Sequence, residues 1–127
     1  MDYLIDTHVL IWTLEGDPRV SQNALAVLQN PDNDVSISIV SFWEIAIKLS
    51  IKKLQISQPL EVVIQKTEEV GINTLPLHTK YILQVENLPF YHRDPFDRLI
   101  IASAISEEIP IISVDKNYDN YQTQRIW

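Results

Sequence analysis

Apolar residues in this chain fall into short runs of two kinds, and the two kinds alternate. Asp2-Tyr3-Leu4-Ile5-Asp6, Val35-Ser36-Ile37-Ser38-Ile39, Asn73-Thr74-Leu75-Pro76-Leu77 and Pro110-Ile111-Ile112-Ser113-Val114-Asp115 have the length and composition of strands. Helical spacing fills the intervals. His8 to Leu14 follows the first strand, and a turn at Gly16-Asp17-Pro18 ends it. Ser21 starts a second helix, with Ala24, Leu25, Val27 and Leu28 on its apolar face and Asn30-Pro31-Asp32-Asn33 at its end. Ser41 opens a third helix with Glu44 three residues on, the spacing of a capping box, and that helix runs to Lys52-Lys53. Pro59 to Val70 is amphipathic, with Leu60, Val63, Ile64 and Thr67 inward. Thr79 to Glu86 predicts a short helix and Asn87 to Tyr91 a loop.

The sharpest signal is His92-Arg93-Asp94-Pro95-Phe96-Asp97-Arg98. Asp94 reads as an N-cap and Pro95 as the first helical residue, where a missing N–H costs nothing. Asp97 meets the positive end of that helix and can bond back to the cap N–H. The apolar run from Leu99 to Ile105 is too greasy for a surface, and the helix ends near Glu107-Glu108. Lys116 to Tyr121 predicts a loop or a single turn, and Gln122 to Trp127 a last edge strand. Alternating strands and helices with short connections predict an α/β fold. Its mainly parallel sheet is covered by helices on both sides, and residues 1–127 form one domain.

Composition narrows the chemistry. At 46% apolar and 21% charged residues the chain is globular rather than disordered. No apolar run reaches the ~18 residues of a membrane span, and no basic segment precedes the first apolar run as in a secretory signal. There is no cysteine, which excludes disulfides, thiolate zinc sites and cysteine nucleophiles and suits the cytoplasm. The net charge of −7 is the wrong sign for gripping nucleic acid through a basic surface. On its own that charge simply keeps a small domain soluble. If the ligand is a polyanion, a divalent cation held by carboxylates is the natural source of positive charge.

The carboxylates for such a site stand at equivalent places. Asp6 and Asp115 end strands, and Glu44 and Asp97 lie in first helical turns. Each alone is equally well read as a helix cap. All four at one edge of one sheet is a stronger pattern, because ligands of open α/β sheets bind outside the carboxyl ends of the strands. Clustered carboxylates must protonate or bind a cation, and oxygen-only ligands suit Mg²⁺ or Mn²⁺. His8, His78 and His92 share no metal-ligand spacing and read as structural or incidental. His92, beside the acids, is the first exception to consider. With two glycines the chain has no phosphate-cradling loop, and no serine sits in a nucleophile elbow.

Leu-Ile-Asp-Thr near the start, Ser-x-x-Glu, Asp-Pro-Phe-Asp-Arg-Leu-Ile-Ile-Ala and Ile-Ile-Ser-Val-Asp, in that order, resemble a PIN domain. The His-Arg-Asp-Pro-Phe-Asp-Arg form is similar to one branch of the VapC-like toxins of bacterial type II toxin–antitoxin systems. The resemblance spans essentially the whole chain. It implies a three-layer α/β/α fold and a divalent-metal-dependent, single-strand-specific endoribonuclease that hydrolyses RNA with a metal-activated water. By position it makes Asp6, Glu44 and Asp97 the metal-holding acids and Asp115 the fourth, more variable one. Thr7 and Ser113 match the hydroxyl residues beside the first and fourth acids. Ser41 belongs to the motif of the second acid, and Asp94 to the branch motif as a cap or a support to the ligands. Arg98, Arg93, Lys48 and Lys116 are candidate phosphate contacts, although Arg98 also has the spacing of a helix pair with Asp94. The implied partners are a cognate antitoxin and a second copy in a homodimer. Two departures stand out: Glu108-Ile109 replaces a glycine common before the last strand, and the acidic surface is poor for RNA.

Two other readings use the same residues. The acids also suit a metal-dependent DNA nuclease or phosphatase. If they only cap helices, the chain is a non-catalytic protein-binding module, with Trp12, Trp43 and Tyr81 as candidate partner contacts.

Overall fold

A computed structural model describes all 127 residues. Its centre is a sheet of five parallel strands, β1 (Asp2–Ile5), β2 (Asp34–Ser38), β3 (Asn73–Leu75), β4 (Ile111–Ile112) and β5 (Arg125–Ile126), in the order β3-β2-β1-β4-β5. Leu4 sits in register with Ser36 on one side and Ile111 on the other. The chain builds outward from β1 to β3, then returns to lay β4 and β5 on the opposite flank. The order therefore reverses between β1 and β4, and a crevice opens there beyond the strands' carboxyl ends.

Six helices cover the sheet: α1 (Thr7–Glu15), α2 (Gln22–Gln29), α3 (Ile39–Ser50), α4 (Leu60–Glu69), α5 (Thr79–Glu86) and α6 (Pro95–Glu107). The side chains of β1 alternate and divide the interior. Tyr3 and Ile5 pack with Val9, Leu10, Ile11, Ala24, Phe42 and Ile45 of α1 to α3. Leu4 faces the other way, against Ile100, Ile101 and Ala104 of α6, with Leu88 and Tyr118. The result is three layers, α/β/α, with a core on each face of the sheet. Helix α6 is buried along most of its length, as its uniformly apolar sequence predicts.

Three local expectations change. Helix α3 begins three residues early, because β2 runs straight into it. Its N-cap is Ser38, whose side chain accepts from the Val40 N–H at 3.1 Å, so Ser41 is not a cap and Glu44 is not its capping-box partner. Strand β3 stops at Leu75, before Pro76, which has no N–H for the ladder, and β4 stops at Ile112, before Ser113. The segment after Asp115 is a single 3₁₀ turn, Lys116–Asn120, one of the two forms expected there. Tyr81 is 1% exposed and its hydroxyl donates to Glu107 at 2.6 Å, which ties α5 to α6 and removes it from any partner-facing surface. Glu108 ends α6 in the left-handed region, at φ 57°, where a glycine would be at ease.

Candidate metal centre

Each acid reaches the crevice by a different route. Asp6 follows β1 and caps α1, one carboxylate oxygen accepting the His8 N–H at 3.1 Å. Its other oxygen accepts the Ser113 hydroxyl at 2.5 Å, from the segment just after β4. Glu44 lies one turn into α3 and is 2% exposed. Its Oε1 is 2.8 Å from Thr7 Oγ1, which is also 2.7 Å from Ser41 Oγ. Thr7 has one proton, which the carboxylate takes, so Ser41 donates to Thr7. Glu44 Oε2 pairs with Lys48 one turn along the helix. Asp97 occupies the first turn of α6, and Asp115 caps the 3₁₀ turn, its Oδ1 accepting the Asn117 N–H at 2.9 Å.

The acids feel one another. Asp97 is pushed up to about 7, chiefly by burial and then by the negative charges of Asp94, Asp6, Glu44 and Asp115. Burial likewise raises Asp6, against the opposing pull of its bonds from Ser113 and His8. Five carboxylates with Lys48 as a paired cation leave an excess of negative charge in a half-buried crevice. Its carboxylate oxygens, flanked by hydroxyls, are the hard donors that Mg²⁺ or Mn²⁺ takes. The donor set therefore fits a divalent cation.

Asp94 is the cap that the sequence predicts: its Oδ1 accepts from the Phe96 and Asp97 N–H groups at 2.8 and 3.1 Å. Arg98 does not reach phosphate or Asp94. It is buried, and its guanidinium donates to the carbonyls of Val85, Leu88, Pro89 and His92 at 3.0–3.3 Å, with Phe90 covering it at 4.1 Å. Two of those carbonyls lie in and just beyond the last turn of α5, where a cation meets the negative end of the helix. Arg93 and Lys116 are exposed.

The residue the sequence undervalued is His92. It is 7% exposed, and its Nε2 is 2.7 Å from Asp115 Oδ2. The ligand atoms of His92, Asp97 and Asp115 all lie within 4.8 Å of one another. Tyr118 also borders the acids, with its hydroxyl 3.5 Å from Asp97, and its burial, then their charges, raise its pKa strongly. Only the adjacency of His92 to Asp94 in sequence pointed to this arrangement.

An α/β/α domain with a carboxylate centre at the switch point of a parallel sheet is the class these features define. The chain belongs to the PIN-domain family, whose model matches residues 3–123. It is 24% identical, over 96% of its own length and 93% of the relative's, to ribonuclease VapC22 of Mycobacterium tuberculosis. Its fold is similar to VapBC2 from Rickettsia felis, solved with a promoter DNA fragment, at a TM-score of 0.68 and 16% identity over the whole of both chains. It is also similar to VapBC-1 from nontypeable Haemophilus influenzae, at a TM-score of 0.66 and 21% identity, covering 98% of this chain and 96% of that one.

Proposed function

We propose that this PIN-domain protein is the toxin of a toxin–antitoxin pair and a divalent-metal-dependent endoribonuclease specific for single strands. The observation that carries the reading is the convergence of Asp6, Glu44, Asp97 and Asp115 from four separate segments on one crevice, where their charges oppose one another. Asp6, Glu44 and Asp97 would hold Mg²⁺ or Mn²⁺, and Asp115 would share in holding it or a second ion. Bound there, such an ion acidifies water and neutralises charge on a phosphoryl group. The chain's own groups prepare the site. Thr7 orients Glu44 through its hydroxyl, and Ser113 orients Asp6. Lys48, at the rim, neutralises Glu44 and is placed to meet a phosphate. Arg93, next to Asp94, and Lys116, next to Asp115, offer further exposed charge.

The partners are single-stranded RNA, a cognate antitoxin and a second copy of the chain. The relatives solved as VapBC assemblies support the antitoxin. Exposed Ile82, Leu83, Phe90 and Trp43 provide apolar surface of the sort that assemblies cover. No helix is long and apolar enough to cross a membrane, and the expected place of action is the cytoplasm.

A mixed panel of single-stranded RNAs and DNAs, incubated with Mg²⁺ or Mn²⁺ with and without EDTA, tests this. The reading predicts RNA cleavage that EDTA and Asp6→Asn each abolish. Cleavage of DNA alone, or of phosphomonoesters alone, favours the other hydrolase readings. No cleavage and no Mn²⁺ binding leaves a protein-binding module.

A further inference from the structure

His92 stands outside the matched acids yet is buried and bonded at both ring nitrogens. Its ring packs against Tyr118, at 4.5 Å and 30° between planes, and against Tyr121, at 5.6 Å and 18°. Nδ1 is 2.9 Å from the Tyr121 hydroxyl, and Nε2 is 2.7 Å from Asp115 Oδ2. Its backbone carbonyl accepts from Arg98 at 3.3 Å. Ring and main chain are both fixed.

The bonds assign the tautomer. An ionised carboxylate only accepts, so Nε2 carries the proton it gives to Asp115. In the neutral ring Nδ1 is then the acceptor for the Tyr121 O–H. The Asp115 carboxylate is held at both oxygens, by His92 at Oδ2 and by the Asn117 N–H at Oδ1, which stops its rotation while leaving lone pairs free. The Asp115 N–H donates to Ser113 Oγ at 3.0 Å, and Ser113 donates to Asp6 at 2.5 Å. One unbroken chain of hydrogen bonds therefore runs from Tyr121 through His92 and Asp115 to the acid at the tip of the central strand.

We propose that His92 is a positioning residue of the metal centre: through its Nε2–H it sets the orientation of Asp115, and Tyr121 holds it in the tautomer that does so. This rests on the metal-site reading. A histidine beside ligand carboxylates can instead bind the ion itself, and the atoms of His92, Asp97 and Asp115 are close enough for that. The two roles differ in what Nε2 carries. A positioning His92 keeps its proton there, whereas a ligand must give it up.

The test measures Mn²⁺ affinity by electron paramagnetic resonance in the parent, His92→Phe, His92→Gln and Asp6→Asn proteins. It adds a long-range ¹H–¹⁵N spectrum of the histidine rings with and without Mg²⁺. His92→Phe keeps a flat ring against the two tyrosines and loses both bonds. Affinity should fall ~10- to 100-fold, as when an outer hydrogen-bond partner of a metal ligand is removed. His92→Gln returns an N–H near the Nε2 position and should recover most of that loss. The spectrum should show the Nε2–H tautomer, unchanged on adding Mg²⁺. Parent-like affinity in His92→Phe overturns the proposal and makes the ring a packing element only. Loss of the Nε2 proton on adding Mg²⁺ overturns it in favour of direct ligation. A parent that binds no more Mn²⁺ than Asp6→Asn overturns the metal centre itself, and the positioning role with it.

Discussion

Arg98 and Asp97 are neighbours with opposite fates. The charge of Arg98 is used up on four carbonyls that define the loop between α5 and α6, the loop that delivers His92. Replacing it with alanine leaves those carbonyls without donors in a buried place. Hydrogen bonds to a charged group contribute about 1.5–3 kcal/mol each when removed singly, though not additively. Arg98→Ala should therefore lower stability by at least ~3 kcal/mol in urea denaturation. A stable Arg98→Ala protein with weakened RNA binding would show instead that the side chain serves the substrate. Asp97 works against folding when no cation is present. Its folded pKa of about 7 lies above its ordinary 3.8, so between those values the folded state binds the extra proton. Its contribution is then complete below pH ~4 and is lost as pH rises through ~7. EDTA-treated Asp97→Asn protein should melt above the parent at pH 8, and the gap should close by pH 5. An Asp97→Asn protein less stable at pH 8 would mark Asp97 as a structural acid. Much of this was legible in the sequence for Asp97, because Asp-Pro at a helix start fixes what the next turn faces. It was not legible for Arg98, whose partners are backbone carbonyls of a loop with no sequence signature.

At the scale of elements, the strand ends carried the most information. An apolar run that stops at an acid places that acid at the sheet's edge, which located Asp6, and Asp115 sits just beyond β4 in the same way. The start of α3 misled, since Ser-x-x-Glu at 41–44 matches a capping box, yet Ser38 takes the cap because β2 passes into α3 without a loop. Freed from capping, Ser41 bonds Thr7 and so supports Glu44 instead. The end of α6 shows a local rule broken. Glu108 adopts φ 57°, a conformation that costs a side chain about 1–2 kcal/mol relative to glycine. Glycine gives part of that back through the greater freedom of its unfolded chain. Glu108→Gly should raise stability by up to ~1 kcal/mol with Mn²⁺ affinity unchanged, and a destabilised variant would mean that the Glu108 side chain makes a contribution the turn geometry does not explain.

For the whole molecule, a net charge of −7 and three cations near the crevice set how RNA would be held under the proposed function. A single strand that displaces counterions from three phosphates gives a salt slope no steeper than about −2. RNA binding by the EDTA-treated protein should be weak and only gently salt-dependent. A slope several-fold steeper would reveal a basic surface formed elsewhere, such as between two copies of the chain. The fold itself follows from the alternation of strands and helices, and the order β3-β2-β1-β4-β5 puts its reversal where the acids are. What the alternation could not supply was the tertiary meeting of His92, from the loop before α6, with Asp115 and Tyr121 at the two ends of the 3₁₀ turn.

The most direct test of the centre is to soak crystals of the protein in Mn²⁺ and collect data at the manganese edge. The account predicts an anomalous peak bounded by Asp6, Glu44, Asp97 and Asp115 that disappears in Asp6→Asn crystals. A peak elsewhere, or none at concentrations where Mn²⁺ supports cleavage, would contradict it.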